Sequence, residues 1–598
     1  MSTADPTDDK ADARLAAHPA AARPVTGIVG LGTVGEALLL LLHKAGHDLV
    51  AVDHDPDALA RAARRIAAAA GGPPPADVIS FSAEPAALSR AALVVEATPE
   101  DRDAKVDVLR RIGGVCPAGT PVATTATALS VADLAIASGR PGQTLGLLFH
   151  TPPVLGGTVT IVPTAMSAST AVEAVRDLVC AAGLEPVAVG LPALRDARAL
   201  VLGYLNRCAA LLDTGFATAT EIDTALRLGC GLPYGPFEFL DRMGLDTAFA
   251  ELAALRRASG DDRYEPASLL GRMAAAGTLG RKTGQGFHRY DDTGQLRGDT
   301  GQVPAAGQVK PVTRVGVVGS GTMAGGIAET SAVAGYQTVL VARNGQKAAR
   351  AVAGIGDSLT RGVRRGRIAA ADRGAALARL QGADSAASLA DCDLVIEAVV
   401  EDLEAKRAVF AELGDRCKPG TVLATTTSSL SVAACAEACA READVLGMHF
   451  FNPAPMMRLV EMACTDQTSE NALATARAFC ASLGKTVVVC RDEAGFIVNR
   501  LLFPYLAAAV TLLGRRPDAD IEETDAAVER AFGYPMGPFT LLDTIGLDVS
   551  LAIQQQLFDR FRDPAYEPAA PLRQLVAAGF LGRKTGLGFR AHRRPGTP

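Results

Sequence analysis

Two glycine-rich turns carry the chemistry that is most legible in this chain. Gly30-Leu-Gly32-Thr-Val-Gly35 follows a short apolar run and opens a stretch of helical spacing. Glycines at such a junction permit a tight turn and let backbone N–H groups approach a pyrophosphate at a helix N-terminus. Asp53 stands eighteen residues after Gly35, at the end of the next apolar run. A carboxylate there can accept a hydrogen bond from a ribose 2'-hydroxyl. The second turn, Gly319-Ser-Gly321-Thr-Met-Ala324, has alanine at its third place, and the position equivalent to Asp53 is Ala342, followed by Arg343. A carboxylate would repel a 2'-phosphate, whereas a guanidinium can grip one with two hydrogen bonds. The pattern predicts that NADP(H) is preferred at the second turn, with NAD(H) possible, and that Gly30, Gly32, Gly35 and Asp53 form a possible vestigial cofactor site.

The elements that must position these residues repeat. Each turn lies between two apolar runs (DLVAV and QTVLV are the second of each pair), the βαβ opening of a doubly wound sheet. TPVATTA and TVLATTT read as further buried strands, and the last third of each copy changes to helical periodicity, as in GFIVNRLLFPYLAAAVTLL. LVVEATPEDRDAK returns as LVIEAVVEDLEAK, LPYGPFEFLD as YPMGPFTLLD, and GRKTGQGF as GRKTGLGF. Gly30 and Gly319 lie 289 residues apart, but Glu96 and Glu397 lie 301 apart, so the second copy carries about a dozen extra residues between those points. The predicted fold class is α/β plus all-α: two tandem copies of a Rossmann-like doubly wound domain followed by a helical domain. The expected boundaries are a disordered tail at 1–22, a first, degenerate Rossmann-like domain at 23–190 and a first helical domain at 191–290. A linker at 291–311 follows, then the second, catalytic Rossmann-like domain at 312–490, its helical domain at 491–590 and a tail at 591–598.

Composition sets the class. The chain has 598 residues, 48% hydrophobic and 21% charged, with a formal net charge of -6. Large cores can form, and there is no basic footprint for nucleic acid. Eleven cysteines without a C-x-x-C pair read as reduced thiols, with no metal site. No apolar run reaches the ~18 residues of a membrane span. A cytoplasmic protein is expected.

Further motifs give a family resemblance. ATTTSSL, GMHFFNPAPMMRLVE, GFIVNR, YPMGPF and GRKTGLGF together resemble the L-3-hydroxyacyl-CoA dehydrogenases, including the 3-hydroxybutyryl-CoA dehydrogenases, from about Val25 to Phe589. The resemblance implies hydride transfer at C3 of an acyl-CoA thioester by a histidine–glutamate pair, His449 and Glu461, assisted by Ser428 and Asn499. Imidazole titrates near neutrality and can carry the hydroxyl proton in either direction. A carboxylate beside it fixes the tautomer. After the linker the only other histidine is His592, in a basic tail expected to be unordered. The resemblance also carries cofactor contacts to Glu401, Lys406, Asn452 and Lys584, and coenzyme A contacts to Ser358, Arg365 and Ser428. The stretch DSLTRGVRRGRI adds Arg361, Arg364 and Arg367 for phosphates. Thr426 stands where the family usually has asparagine.

In the first copy the matching positions are Leu148 for His449, Thr160 for Glu461, Arg198 for Asn499 and Thr127 for Ser428. His150 lies two residues from the histidine position, shifted roughly 6–7 Å along a strand. The expectation is one active site, in the second copy. The helical domains are expected to form an internal pseudo-dimer, with a homo-oligomer possible. The rival readings are a non-catalytic dinucleotide-binding relative and a hydroxy-acid dehydrogenase that needs no coenzyme A.

Overall fold

The computed structural model describes residues 24–127, 129–149, 153–187, 191–291, 294–297, 307–516 and 520–592. The expected tail at 1–22, His150 and most of the expected linker lie outside the described residues.

Each copy builds an eight-stranded sheet. In the first the strands are β1 (Thr26–Val29), β2 (Leu49–Val52), β3 (Ile79–Ser82), β4 (Leu93–Glu96), β5 (Val122–Thr124), β6 (Thr144–Leu148), β7 (Thr158–Val162) and β8 (Glu185–Pro186), in the order β3-β2-β1-β4-β5-β6-β7-β8. In the second they are β9 (Arg314–Val318), β10 (Gln337–Val341), β11 (Leu380–Ala383), β12 (Leu394–Glu397), β13 (Val422–Thr425), β14 (Val445–Phe450), β15 (Leu459–Cys464) and β16 (Thr486–Arg491), in the matching order. Strands β1, β4, β12 and β13 are buried along their whole length, because helices cover both faces of a sheet made by crossover connections. The order reverses beside the first strand of each sheet, which places the glycine turns at the switch point.

One step in each sheet departs from a purely parallel pattern. β14 and β15 pair antiparallel, in a register that sets Gly447 opposite Ala463 and His449 opposite Glu461. β6 and β7 pair the same way, with Leu148 opposite Thr160. A short reversal joins these strands, so facing residues share one side of the sheet and their side chains meet.

The structure divides into two compact units that do not follow the two copies. One unit holds most of the first copy together with the helix Ile521–Phe532 of the second. There that helix packs on β7, and Thr158 Oγ1 donates to Arg530 O at 2.6 Å. The other unit holds most of the second copy together with Arg207–Phe237 of the first. In it the helix Ala219–Cys230 packs on β15, β16 and the helix Val498–Arg515, and Val489 N donates to Glu221 Oε1 at 3.1 Å. Gly229 makes this approach possible, since a Cβ there would press on Leu459 and Val498 at 3.0 Å.

The aspartate that ends LPYGPFEFLD and YPMGPFTLLD and the segment after GRKTG meet in one lock in each helical region. The Asp543 carboxylate accepts Phe589 N and Arg590 N, both at 2.9 Å, and lies 2.7 Å from His592 Nε2. His592, expected in an unordered tail, is therefore a placed residue, because a buried carboxylate fixes its ring. Asp241 does the same in the first copy, accepting Phe287 N, His288 N and Tyr290 OH. Among the described residues no helix is long and apolar enough to cross a membrane.

Candidate active site

The second glycine turn leaves β9 with Gly319 at φ +138°, and a Cβ there would collide with Ala398 O. Only glycine fits that approach. Gly321 caps the helix Thr322–Val333, and nothing lies within 4 Å of where its Cβ would be, so the helix N-terminus faces open space. Ala324 is fully buried against the turn. Ala342 is buried at the end of β10, and Arg343 beside it is exposed.

At the end of β12 a buried polar cluster supports the cleft. Lys406 Nζ donates to both oxygens of Glu397, at 2.8 and 2.9 Å, and Thr425 Oγ1 donates to Glu397 at 2.7 Å. Lys406 is fully buried, so its ammonium is spent on its carboxylate partners and is not itself a surface contact for a cofactor. Its second partner, Glu401 Oε2, is 3.5 Å away. Glu401 Oε1 accepts Thr427 Oγ1 at 2.6 Å and Ser428 N at 2.8 Å, and lies 3.2 Å from Ser428 Oγ. Burial would raise this carboxyl, but the Thr427 hydroxyl, the Lys406 charge and the Ser428 N–H outweigh it and hold Glu401 below its ordinary value.

His449 and Glu461 meet across β14 and β15. His449 Nδ1 is 2.8 Å from Glu461 Oε2, with the histidine 8% exposed and the glutamate 0%. The other oxygen, Oε1, accepts Ile497 N at 3.0 Å and Val498 N at 2.8 Å. These amides belong to the start of the helix Val498–Arg515, so the dipole of the helix also favours the anion. The carboxylate is thereby an acceptor on both sides. A carboxylate there takes the Nδ1 hydrogen, and in the neutral imidazole Nε2 then carries the lone pair. The amides are presented by Gly495 at φ +79° and Phe496 at φ +46°, the latter a left-handed phenylalanine. Strain of this kind persists only where the surroundings over-determine it. Phe496 and Phe451 flank the imidazole, with ring centroids 5.6 and 4.7 Å from it. Asn499 follows in the first helical turn, half-buried.

A cavity of about 990 Å³ in the second copy runs from Gly321 past Ser358 and Arg365 to Asn452. Arg361 and Arg367 line it as well. Burial pushes the carboxyl of Glu329 up against the opposing Ser358 hydroxyl and Arg361 charge. Lys584 is held by Asp548, at 2.8 and 3.0 Å, in the helical region. The Phe496 turn and the Glu397–Thr425 support escaped sequence reasoning, although GFIVNR and the repeated LVIEA and LVVEA segments carried their signal.

A family model described as the 3-hydroxyacyl-CoA dehydrogenase NAD-binding domain matches residues 25–191 and again 314–493. The corresponding C-terminal domain model matches 197–290 and 495–592. The chain belongs to the 3-hydroxyacyl-CoA dehydrogenase family. It carries both domains of the family twice and is an oxidoreductase that works with a nicotinamide dinucleotide. It is similar to a 3-hydroxybutyryl-CoA dehydrogenase of Mycobacterium tuberculosis, 42% identical over 281 residues, which are 46% of this chain and 98% of that protein. It is also similar to the mitochondrial hydroxyacyl-coenzyme A dehydrogenase of Rattus norvegicus, 40% identical over 285 residues, 46% of this chain and 90% of that one. Among solved structures it is similar to FadB2 of M. tuberculosis, with 40% identity, TM-score 0.46, and coverage of 48% of this chain and 100% of that one.

Within this dehydrogenase the first copy repeats the glycine-turn end of the cleft. A cavity of about 820 Å³ runs from Gly30 and Asp53 to Arg198 and Glu251. Gly30 has φ +91°, and Gly32 faces open space as Gly321 does. Gly35 is buried against the turn, and Asp53 Oδ2 accepts Leu31 N at 2.6 Å. The support is retained too, with Lys105 Nζ 3.0 and 3.1 Å from Glu96 and with Glu100 accepting Thr127 N. What differs is the other end, around the candidate dyad. Leu148 and Thr160 face one another where the dyad would be. The helix Leu191–Asp213 already runs through Asp196 and Ala197, the positions of Ile497 and Val498, so those amides lie inside the helix. Arg198 is tied to Glu251 at 2.8 and 2.6 Å. Glu36 stands where the second copy has Gly325, on the face of its 990 Å³ cavity, and pairs with Arg65 at 2.5 Å.

Proposed function

We propose that the second copy alone catalyses the interconversion of an L-3-hydroxyacyl-CoA and a 3-oxoacyl-CoA, with NADP(H) preferred and the four-carbon acetoacetyl-CoA pair as a substrate. The observation that carries the reading is the His449–Glu461 pair, whose carboxylate is saturated on its far side by Ile497 N and Val498 N.

The open N-terminus at Gly321 and the tight turn at Gly319 and Ala324 suit a dinucleotide pyrophosphate. Arg343 would take a 2'-phosphate, Glu401 and Ser428 the nicotinamide ribose, and Asn452 and Lys584 outer contacts, while Lys406 supports Glu401. The bound nicotinamide supplies the hydride acceptor or donor. In the oxidative direction Nε2 of His449 takes the C3 hydroxyl proton as the hydride leaves, and Glu461 stabilises the imidazolium formed. In reduction the same imidazolium returns that proton to the carbonyl oxygen. Ser428 and Asn499 hold the oxygen in line with Nε2. The cavity lined by Ser358, Arg361, Arg365 and Arg367 offers hydroxyl and guanidinium groups to the phosphates of coenzyme A.

In this reading the first copy is a non-catalytic half, and the packing of each copy's helical segment with the other copy supports an internal pseudo-dimer of helical domains. The deciding experiment is steady-state reduction of acetoacetyl-CoA with NADPH and with NADH, using the wild type and His449→Gln. NADPH is expected to be the better donor and His449→Gln to abolish turnover. Full turnover in that variant would remove His449 as the proton carrier.

A further inference from the structure

Asn499 is followed by Arg500, whose carbonyl has lost its helical partner. The helix Val498–Arg515 contains Pro504, which has no N–H to give to residue 500. Tyr566 OH fills the gap, donating to Arg500 O at 3.1 Å, with Tyr566 only 1% exposed. The Tyr566 ring is stacked on Phe561, with centroids 5.4 Å apart, and is covered by the guanidinium of Arg207 at 4.7 Å. Arg207 Nη2 also donates to Asp563 Oδ2 at 2.6 Å. Burial alone would raise Asp563, but the hydrogen bond and charge of Arg207 hold it below its ordinary value. The Arg500 guanidinium pairs with Glu493 and lies 4.7 Å from the rings of both Phe216 and Phe561.

Arg207 and Phe216 come from the first copy; every other member of the cluster comes from the second. All of them lie in one compact unit. The arrangement is repeated only in part: Asp261 and Tyr264 match Asp563 and Tyr566, but there the guanidinium over the ring and on the carboxylate is Arg263 of the same copy. The residue equivalent to Arg207 in the second copy is Ala508, and Gly203 replaces Pro504 in the first, so no carbonyl is orphaned there by a proline. The helical turn that is braced also presents Ile497 N and Val498 N to Glu461 and carries Asn499.

We propose that Arg207 of the first copy is a positioning residue for the second copy's reaction. It holds Tyr566 on Arg500 O and so fixes the turn that orients both Glu461 and Asn499. The proposal rests on the second copy being the catalytic one. It gives the degenerate copy a task that needs none of the lost catalytic groups.

The test uses the full chain carrying Arg207→Leu, Tyr566→Phe, both together, and Arg207→Lys, with His449→Gln in parallel. Each of the first two is expected to lower kcat about tenfold through misalignment, with KM for NADPH within about twofold of wild type. The double variant is expected to be no worse than the worse single, because both break one chain of contacts. Arg207→Lys keeps the charge for Asp563 but loses the planar stack, and is expected to fall between. A lowered unfolding temperature with unchanged kcat per NADPH-binding site would overturn the proposal. So would single effects that multiply in the double variant. An active His449→Gln would instead overturn the catalytic assignment, whatever Arg207→Leu does.

Discussion

Arg198 grips Glu251 through two nitrogens in the wall of the first-copy cleft, at the sequence position where the second copy has Asn499. Burial disfavours the charge on Arg198, and the Glu251 carboxylate more than restores it. A paired, desolvated guanidinium cannot do the work of a neutral amide. Placing one histidine at Leu148 therefore leaves Thr160 opposite it and this ion pair beside it. In a His449→Gln background, Leu148→His is expected to recover no NADPH-dependent reduction of acetoacetyl-CoA. Measurable recovery would show that the first copy needs only its base.

Glu461→Gln tests the carboxylate apart from the imidazole. The amide keeps the volume but cannot accept from Nδ1 and from two backbone N–H groups while holding the same tautomer. A fall in kcat of roughly 10³- to 10⁴-fold is expected, by analogy with the loss of an orienting carboxylate in a triad. NADPH binding, followed by its fluorescence, is expected to be unchanged. A loss of tenfold or less would make Glu461 a packing residue.

Arg343→Ala tests the nucleotide preference. A charge-assisted hydrogen bond contributes ~1.5–3 kcal/mol, about 10- to 150-fold in binding. KM for NADPH is expected to rise within that range, while KM for NADH stays the same. An equal change for both nucleotides would leave Arg343 as an ordinary exposed residue.

Asp241 gives the protein a pH dependence with a definite sign. Burial pushes its carboxyl up to about 6 from an ordinary value of 3.8, against the opposing N–H groups of His288 and Phe287. Between those values the folded form binds more protons than the unfolded form, so stability falls as pH rises from about 4 to about 6 and levels off above. Amide protection factors at Phe287 and His288, both bonded to this carboxylate, are expected to follow that course. In Asp241→Asn they are expected to show no such step; an identical profile in both proteins would remove Asp241 as its source.

Much of the site was legible because its signals are local. A φ that only glycine tolerates fixes Gly30 and Gly319 in the sequence, and strands covered on both faces must be apolar throughout. The repeat let the two copies be compared residue by residue, and the strand register agrees, since Leu148 faces Thr160 as His449 faces Glu461. The His592–Asp543 pair was not legible, because the carboxylate that fixes the ring lies 49 residues away.

The sequence by itself determined the duplicated α/β-plus-helical plan and the nucleotide turns, since each depends on residues close in the chain or on a match between copies, and the candidate dyad came with the family resemblance. Only the tertiary structure decided the antiparallel step that brings Nδ1 to Oε2, the left-handed Phe496 turn that saturates Glu461, and the placement of Arg207 over Tyr566. These depend on contacts between segments far apart in the chain. Such contacts are set by packing after the local elements have formed, and residue spacing carries no record of them.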